Sequence, residues 1–271
     1  MMKEKTGGTI MIVFCQNVLN WAPTGFRNRL ITELIQEQGA DVCLFQEFGP
    51  NSTRVGEPPL QQLLEEAGYT EAYPEKAAGN FTPVFYKTAK YEREDVGYFM
   101  YDGLNDAGSK SVTWVLLRDK ESGKRFVAAA THFWWMYEKE EDFRQRLQNV
   151  EQLWEICRNL TEKYGVPVVV GGDLNNGRNS DQGEAPYHAM LEKGFLDTRL
   201  TAPITTNSYT HHEYPIRHED GTWTDGALPV RDLDYIFTYG PQVTTKRFDI
   251  LLSQKALDSS DHCPLVAEIE L

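Results

Sequence analysis

The chain has 271 residues, 41% of them hydrophobic and 25% charged, with a formal charge of −13. That length supports a sizeable core, and no linker, repeat or low-complexity tract divides it, so one domain over residues 1–271 is expected. Tight binding to long nucleic acid is disfavoured, because Lys and Arg are scattered and cluster only as dyads such as Arg27/Arg29, Lys124/Arg125, Arg144/Arg146 and Lys246/Arg247.

In chain order, Ile10-Met11-Ile12-Val13-Phe14 predicts a strand that runs into Cys15-Gln16-Asn17. After Pro23, the residues Phe26, Leu30, Ile31, Leu34 and Ile35 recur at helical spacing up to Gly39, a helix stop. Val42-Cys43-Leu44-Phe45 predicts a short buried strand ending in Gln46-Glu47. A short helix is predicted near Leu60–Ala67. β-rich runs follow at Thr82–Tyr86, Tyr91–Phe99, Ser111–Leu117 and Phe126–His132, the last two joined by an Asp119–Gly123 turn. Phe143, Leu147, Val150, Leu153, Trp154, Cys157 and Leu160 mark a long amphipathic helix.

Val166–Val170 reads as a strand buried on both faces; Gly171 and Gly172 are then expected to let the chain turn tightly before Asp173-Leu174-Asn175. Ala185–Leu191 predicts a helix, and residues 200–231 an irregular region. Leu233–Tyr239, Thr245–Leu252 and Leu265–Leu271 predict closing strands. Hairpins mix with strand–helix–strand units, which predicts two mixed sheets packed face to face with helices outside, an α/β sandwich.

Cys15, Cys43, Cys157 and Cys263 show no CxxC spacing, and Cys15, Cys43 and Cys157 fall in apolar settings, as expected of free cysteines in a reducing compartment. The run Ile10–Phe14 is too short for a signal segment or a membrane span. A soluble, cytoplasmic chain without stable membrane insertion is the resulting expectation.

Several buried-looking runs end in or carry a residue suited to metal or phosphate. They are Asn17, Glu47, His132, Asp173 with Asn175, Asp234, and Asp261 with His262. A carboxylate and an amide at the mouth of a rigid strand suit activation of a water; the plain alternative for Asp173 and Asn175 is an Asx-turn. Asp234 lies in Leu233-Asp234-Tyr235-Ile236-Phe237, where an acid costs desolvation energy unless a cation or hydrogen-bonded partner offsets it. One such residue reads as a satisfied core polar group. Six placements in one chain read as a site.

In order, Gln16-Asn17-Val18, Phe45-Gln46-Glu47, Thr131-His132-Phe133, Gly172-Asp173-Leu174-Asn175, Leu233-Asp234-Tyr235-Ile236 and Ser260-Asp261-His262-Cys263-Pro264-Leu265 resemble the motif series of the endonuclease/exonuclease/phosphatase, or DNase I-like, superfamily. Thr82-Pro83-Val84-Phe85-Tyr86 and Lys110-Ser111-Val112-Thr113-Trp114 are softer matches to its bacterial members. The resemblance implies a four-layer α/β/β/α sandwich and phosphoester hydrolysis with Mg²⁺ or Mn²⁺. It implies Glu47 as the central metal ligand, with Asn17 and Asp261 near the same cation. Asp173 would orient or deprotonate the attacking water and Asn175 hold a phosphate oxygen. His262 would contact phosphate with Asp234 fixing its tautomer, and His132 would be a second phosphate-facing imidazole. DNA-repair members carry an acid two residues after the first Asn; this chain has Leu19 there, which weakens a DNA-repair assignment.

A metal-dependent phosphodiesterase or phosphomonoesterase with a small phosphorylated substrate is thus expected. A nuclease with the same site, or a non-catalytic binding module of the same fold, is the alternative. Phe133-Trp134-Trp135-Met136-Tyr137 is either a substrate wall or core. His211, His212 and His218, with Glu213, Glu219 and Asp220, read as a solvated or substrate-facing loop before a zinc site, because the spacing matches no usual ligand pattern. Arg144 and Arg146 are expected to be solvated helix residues, and Cys263 to point into the core, away from His262.

Overall fold

The computed structural model describes residues 8–19, 27–48, 58–73, 79–176, 185–206, 208–212 and 231–271. The chain runs β1 (Ile10–Asn17), α1 (Arg27–Gln38), β2 (Val42–Gln46), α2 (Leu60–Glu66), β3 (Tyr69–Glu71), β4 (Val84–Lys87), β5 (Tyr91–Met100), β6 (Ser111–Asp119) and β7 (Arg125–His132). It continues with α3 (Glu140–Tyr164), β8 (Val168–Asp173), α4 (Ala185–Glu192), β9 (Leu196–Asp197), α5 (Thr198–Thr201), β10 (Asp234–Tyr239), β11 (Thr244–Ile250), α6 (Gln254–Ser259) and β12 (Leu265–Glu270).

Alternation along the strands builds the layers. Met11, Val13 and Cys15 of β1 and Val42 and Leu44 of β2 share one apolar cluster with Phe126, Ala128 and Ala130 of β7 and Val169 of β8. The residues between them, Phe14, Cys43 and Phe45, face the opposite way and meet Ile31, Leu34 and Ile35 of α1, Leu60 and Leu64 of α2 and Ala256 of α6. On the other sheet Val127, Ala129, Val168 and Val170 point outward against Val150, Leu153 and Cys157 of α3 and Met190 of α4. Three apolar interfaces therefore separate four layers, α/β/β/α. Truncating Leu44, fully buried between the sheets, to alanine is expected to cost about 2–5 kcal/mol.

Among the described residues each sheet has six strands, in the orders β11-β12-β1-β2-β4-β3 and β5-β6-β7-β8-β10-β9. Both are mixed: β1 and β2 are parallel, as are β7 and β8, while β8 and β10 are antiparallel. Helix α3 opens with the Lys139 backbone N–H bonded to Asp142 Oδ2 at 2.9 Å, and stops where Gly165 turns left-handed at φ 67°. Among the described residues no helix is long and apolar enough to cross a membrane.

Three expectations change. The strand does not end before the glycines: β8 runs through Gly171 and Gly172 to Asp173. A Cβ on Gly172 would lie 2.0 Å from the Thr131 carbonyl oxygen, and one on Gly171 would lie 2.8 Å from Leu44 Cδ1 and 3.0 Å from Cys15 Sγ. These glycines serve close approach, Gly171 between the two sheets. Arg146 is buried rather than solvated: its guanidinium sits 4.9 Å over the Phe143 ring and Nη1 donates to the Met136 carbonyl. The region after residue 200 is not wholly irregular, because Thr205 bridges to Phe248 and His211 bridges to both Arg231 and His262. His218, Glu213, Glu219 and Asp220 lie outside the described residues, as do Pro23 and Phe26.

Candidate active site

Strand register collects the polar residues at one rim. Across the second sheet His132 of β7 pairs with Asp173 of β8, which pairs with Asp234 of β10, so the three stand in a row. In the first sheet Asn17 ends β1 beside Gln46, one residue before Glu47. Asn17 Nδ2 donates to both Glu47 Oε1 and Asp173 Oδ2 at 3.1 Å, tying the sheets together at this rim. Its Oδ1 accepts from the Leu19 N–H at 3.0 Å.

The strands end in unusual backbone. Leu19, Glu47 and Asn175, just beyond β1, β2 and β8, all have left-handed φ, at 45°, 54° and 50°, and all line the same cavity. Side-chain-bearing residues in that region store local strain, of order 1–3 kcal/mol each, which the surrounding hydrogen bonds must hold. A buried network supplies that hold. Ser260 Oγ donates to the Asn17 carbonyl at 2.7 Å, and Gln16 Nε2 to Ser259 Oγ and the His262 carbonyl at 2.8 and 3.1 Å. Arg27, fully buried, donates to the carbonyls of Ser259, Leu19 and Val18.

The cavity encloses about 630 Å³ and is lined by, among others, Glu47, Lys110, Asp173, Asn175, Asp261 and His262. His262 Nδ1 pairs with Asp234 Oδ2 at 2.8 Å, which leaves Nε2 toward Asp173 Oδ2 at 3.8 Å and Asp261 Oδ1 at 4.0 Å. Thr210 Oγ1 donates to the same Asp234 oxygen at 2.8 Å. Asp234 therefore stands behind His262 and fixes its ring.

Burial raises the Asp173 carboxyl to about 6, against the opposing charge of His262. Burial raises Glu47 also, opposed first by Lys110. For His262 burial works against the charge, but Asp234, Asp261 and Asp173 outweigh it and lift the imidazole well above its ordinary range. His132 goes the other way: burial first, then the charges of Lys110 and His262, hold it neutral. Two sets of three potential donors, Asp173/Asp234/His262 and His211/Asp261/His262, have ligand atoms within 4.8 Å of one another.

Asn17, Glu47, Asp173, Asn175, Asp234, Asp261, His132 and His262 are thus brought to one rim. Two are placed differently from expectation. His132, 1% exposed, lies behind the cavity wall, with Lys110 Nζ 3.0 Å and Asn175 Nδ2 3.0 Å from its Nε2 and the Asp173 carboxylate at 3.5 Å. Asn175 lines the cavity, but its amide N–H groups go to His132 and to the Phe133 carbonyl at 3.0 Å. Its backbone N–H donates to Asp173 Oδ1 at 2.7 Å, so the Asx-turn and the site coexist. The aromatic run divides: Phe133 and Trp134 are buried, while Trp135 and Tyr137 line the cavity and Trp135 Nε1 donates to Asp106.

Lys110, Arg231 and His211 also line the cavity; the sequence assigns Lys110 and Arg231 no role at it and reads His211 only as part of a solvated or substrate-facing loop. Lys110 was visible only as the start of a soft motif match. His211 is held by backbone bonds to Arg231 and by its neighbours' bonds to Asp261 and Cys263, pairings between distant positions.

Residues 19–262 match the Endonuclease/Exonuclease/phosphatase family. Solved structures share the fold. A mannosyl-6-phosphatase of Bacteroides thetaiotaomicron is 18% identical, with a TM-score of 0.71, over 96% of this chain and 100% of that one. The human Nocturnin catalytic domain with bound sulfate is 20% identical, with a TM-score of 0.68, over 96% of this chain and 94% of that one. TDP2 of D. rerio, complexed with single-strand DNA product, is 14% identical, with a TM-score of 0.67, over 97% and 100%. No curated protein matches the chain by sequence. The matched span covers most of the chain, and the chain belongs to the endonuclease/exonuclease/phosphatase family.

Proposed function

We propose that the protein is a divalent-cation-dependent phosphoester hydrolase acting on a small phosphorylated substrate. The observation that carries this reading is the convergence of Glu47, Asp173, Asp261 and His262 on one cavity. The donor chemistry fits a hard ion: Glu47 and Asp261 offer carboxylate oxygens beside the buried carboxyl of Asp173, and burial raises both Glu47 and Asp173. Glu47 and Asp261 would hold Mg²⁺ or Mn²⁺, with Asn17 aligning Glu47 through its N–H. When bound, such an ion neutralises charge gathering on the phosphoryl oxygens.

This chain's own groups do the rest. Asp173, with a carboxyl raised to about 6, accepts the proton of a water that attacks phosphorus. As the water oxygen bonds to phosphorus, the bond to the leaving oxygen breaks. His262, protonated and braced by Asp234, donates from Nε2 to that oxygen or to a neighbouring phosphoryl oxygen. Asn175 fixes Asp173 through its backbone N–H. The charge of −13 favours a small ester over long nucleic acid. We also propose a cytoplasmic location, which the four buried free cysteines suit.

A panel of nucleotides, sugar phosphates, lipid headgroup phosphates and nucleic acids, run with and without chelator, tests the reading. Turnover of a small phosphoester that stops on chelation and returns with Mg²⁺ or Mn²⁺ is expected. Turnover insensitive to chelator, or none on any phosphoester, would overturn it.

A further inference from the structure

Lys110 is 4% exposed, yet among the described residues its ammonium forms no ion pair. Its side-chain contacts are the two ring nitrogens of His132, at 3.0 and 3.3 Å. A neutral imidazole accepts at one nitrogen only, and that lone pair on Nε2 is shared with Asn175. Of the three ammonium donors at most one is therefore spent. The backbone under it is fixed: Lys110 N–H donates to Asn105 Oδ1 at 3.0 Å, and Asn105 Nδ2 returns to the Lys110 carbonyl at 2.8 Å. A buried cation with unspent donors, aimed from a fixed backbone at a cavity, is costly unless an anion completes it.

The two groups expected to hold phosphate oxygens, Asn175 and His132, spend their donors or acceptor on each other and on Phe133. Lys110 stands in front of that pair, and Arg231 lines the same cavity. We propose that Lys110 binds a non-bridging phosphoryl oxygen and thereby selects dianionic phosphomonoesters over phosphodiesters, an inference that rests on the phosphoester-hydrolase reading. A monoester brings a second charge and a third terminal oxygen to the ammonium. In a diester that oxygen carries a carbon substituent and no charge, so the buried ammonium stays incompletely partnered.

The test compares Lys110→Met, which keeps the stem and removes the charge, with Lys110→Arg. kcat and KM are measured on p-nitrophenyl phosphate and on bis-p-nitrophenyl phosphate under saturating Mg²⁺, and inorganic phosphate binding is measured by calorimetry. For Lys110→Met, monoester kcat/KM and phosphate affinity should each fall about 10–100-fold, the range for losing one charge-assisted hydrogen bond, with diester turnover changing far less. Lys110→Arg should recover part of the loss, since the charge remains but the geometry of its donors differs. Thermal melts establish that both variants fold. Equal losses on both esters with unchanged phosphate affinity would assign Lys110 a structural role and overturn the proposal. Phosphate affinity unaltered by Lys110→Met would overturn the lysine's role whether or not the wild type hydrolyses either ester, and the hydrolase reading itself stands or falls on the phosphoester panel.

Discussion

Asn17 Nδ2 lies 3.1 Å from Asp173 Oδ2, a bond that joins the end of β1 in one sheet to the end of β8 in the other. It couples the carboxylates that would hold a cation to the one that would take a proton from water. The close approach it needs is permitted by Gly171, whose missing Cβ would otherwise crowd Leu44 and Cys15. If Asp173 is the proton acceptor, Asp173→Asn should lower kcat by about 10²–10⁴-fold. Circular dichroism should show the fold retained. Wild-type turnover in this variant would remove Asp173 from the chemistry.

Cations and protons compete for the same oxygens. Burial raises Asp173 to about 6 and shifts Glu47 upward as well. An arriving ion therefore competes with protons that these carboxyls keep to higher pH than exposed acids do. Mg²⁺ affinity should rise with pH as Glu47, raised by burial, releases its proton, with Asp173 beside it ionising at about 6, and Glu47→Ala should weaken binding throughout. Calorimetric titrations on both sides of that pH check both statements; an affinity indifferent to pH and to Glu47→Ala would rule out this ligand.

His262 links the site to stability. Its folded pKa lies well above the ordinary 6.5, because three neighbouring carboxylates outweigh burial. The folded chain thus keeps a proton that the unfolded chain releases first. The resulting stabilisation is full below pH 6.5 and is lost as pH rises through the folded value. In chelator, the denaturant midpoint should fall as pH increases above 6.5, and Asp234→Asn should flatten that slope. A slope identical in wild type and Asp234→Asn would contradict the pairing.

Arg27 is structural. Its side chain holds the carbonyls of Val18, Leu19 and Ser259, on both sides of the cavity's rim. Arg27→Met removes all three bonds from a buried network, with an expected loss of about 3 kcal/mol or more in denaturant unfolding. A loss comparable to that of an exposed arginine would show the network to be dispensable.

Much of the fold was legible because its strands are apolar runs with one face per sheet interface: Met11, Val13 and Cys15 against Phe14 is such a pattern. The strands β3 and β9, of three and two residues, are too short to carry alternation and exist only through their neighbours. Helix α6 is six residues long, and its one local signal was Ser253, whose Oγ accepts from the Ala256 N–H at 3.3 Å. The site's acids and imidazoles stood out as polar endings to apolar runs. What stayed hidden was direction. That His132 lies behind Lys110, and that Asn175 turns its amide toward Phe133, depends on a left-handed residue and on cross-strand register. The two glycines read locally as a turn, because only the opposing Thr131 and Leu44 reveal that they mark a close approach.

Anomalous scattering from crystals soaked in Mn²⁺ would show where the cation binds. One strong peak is expected in the cavity, within coordination distance of Glu47 and Asp261 and lost in Glu47→Ala. A peak bound only elsewhere on the surface, or none at saturating Mn²⁺, would contradict this placement.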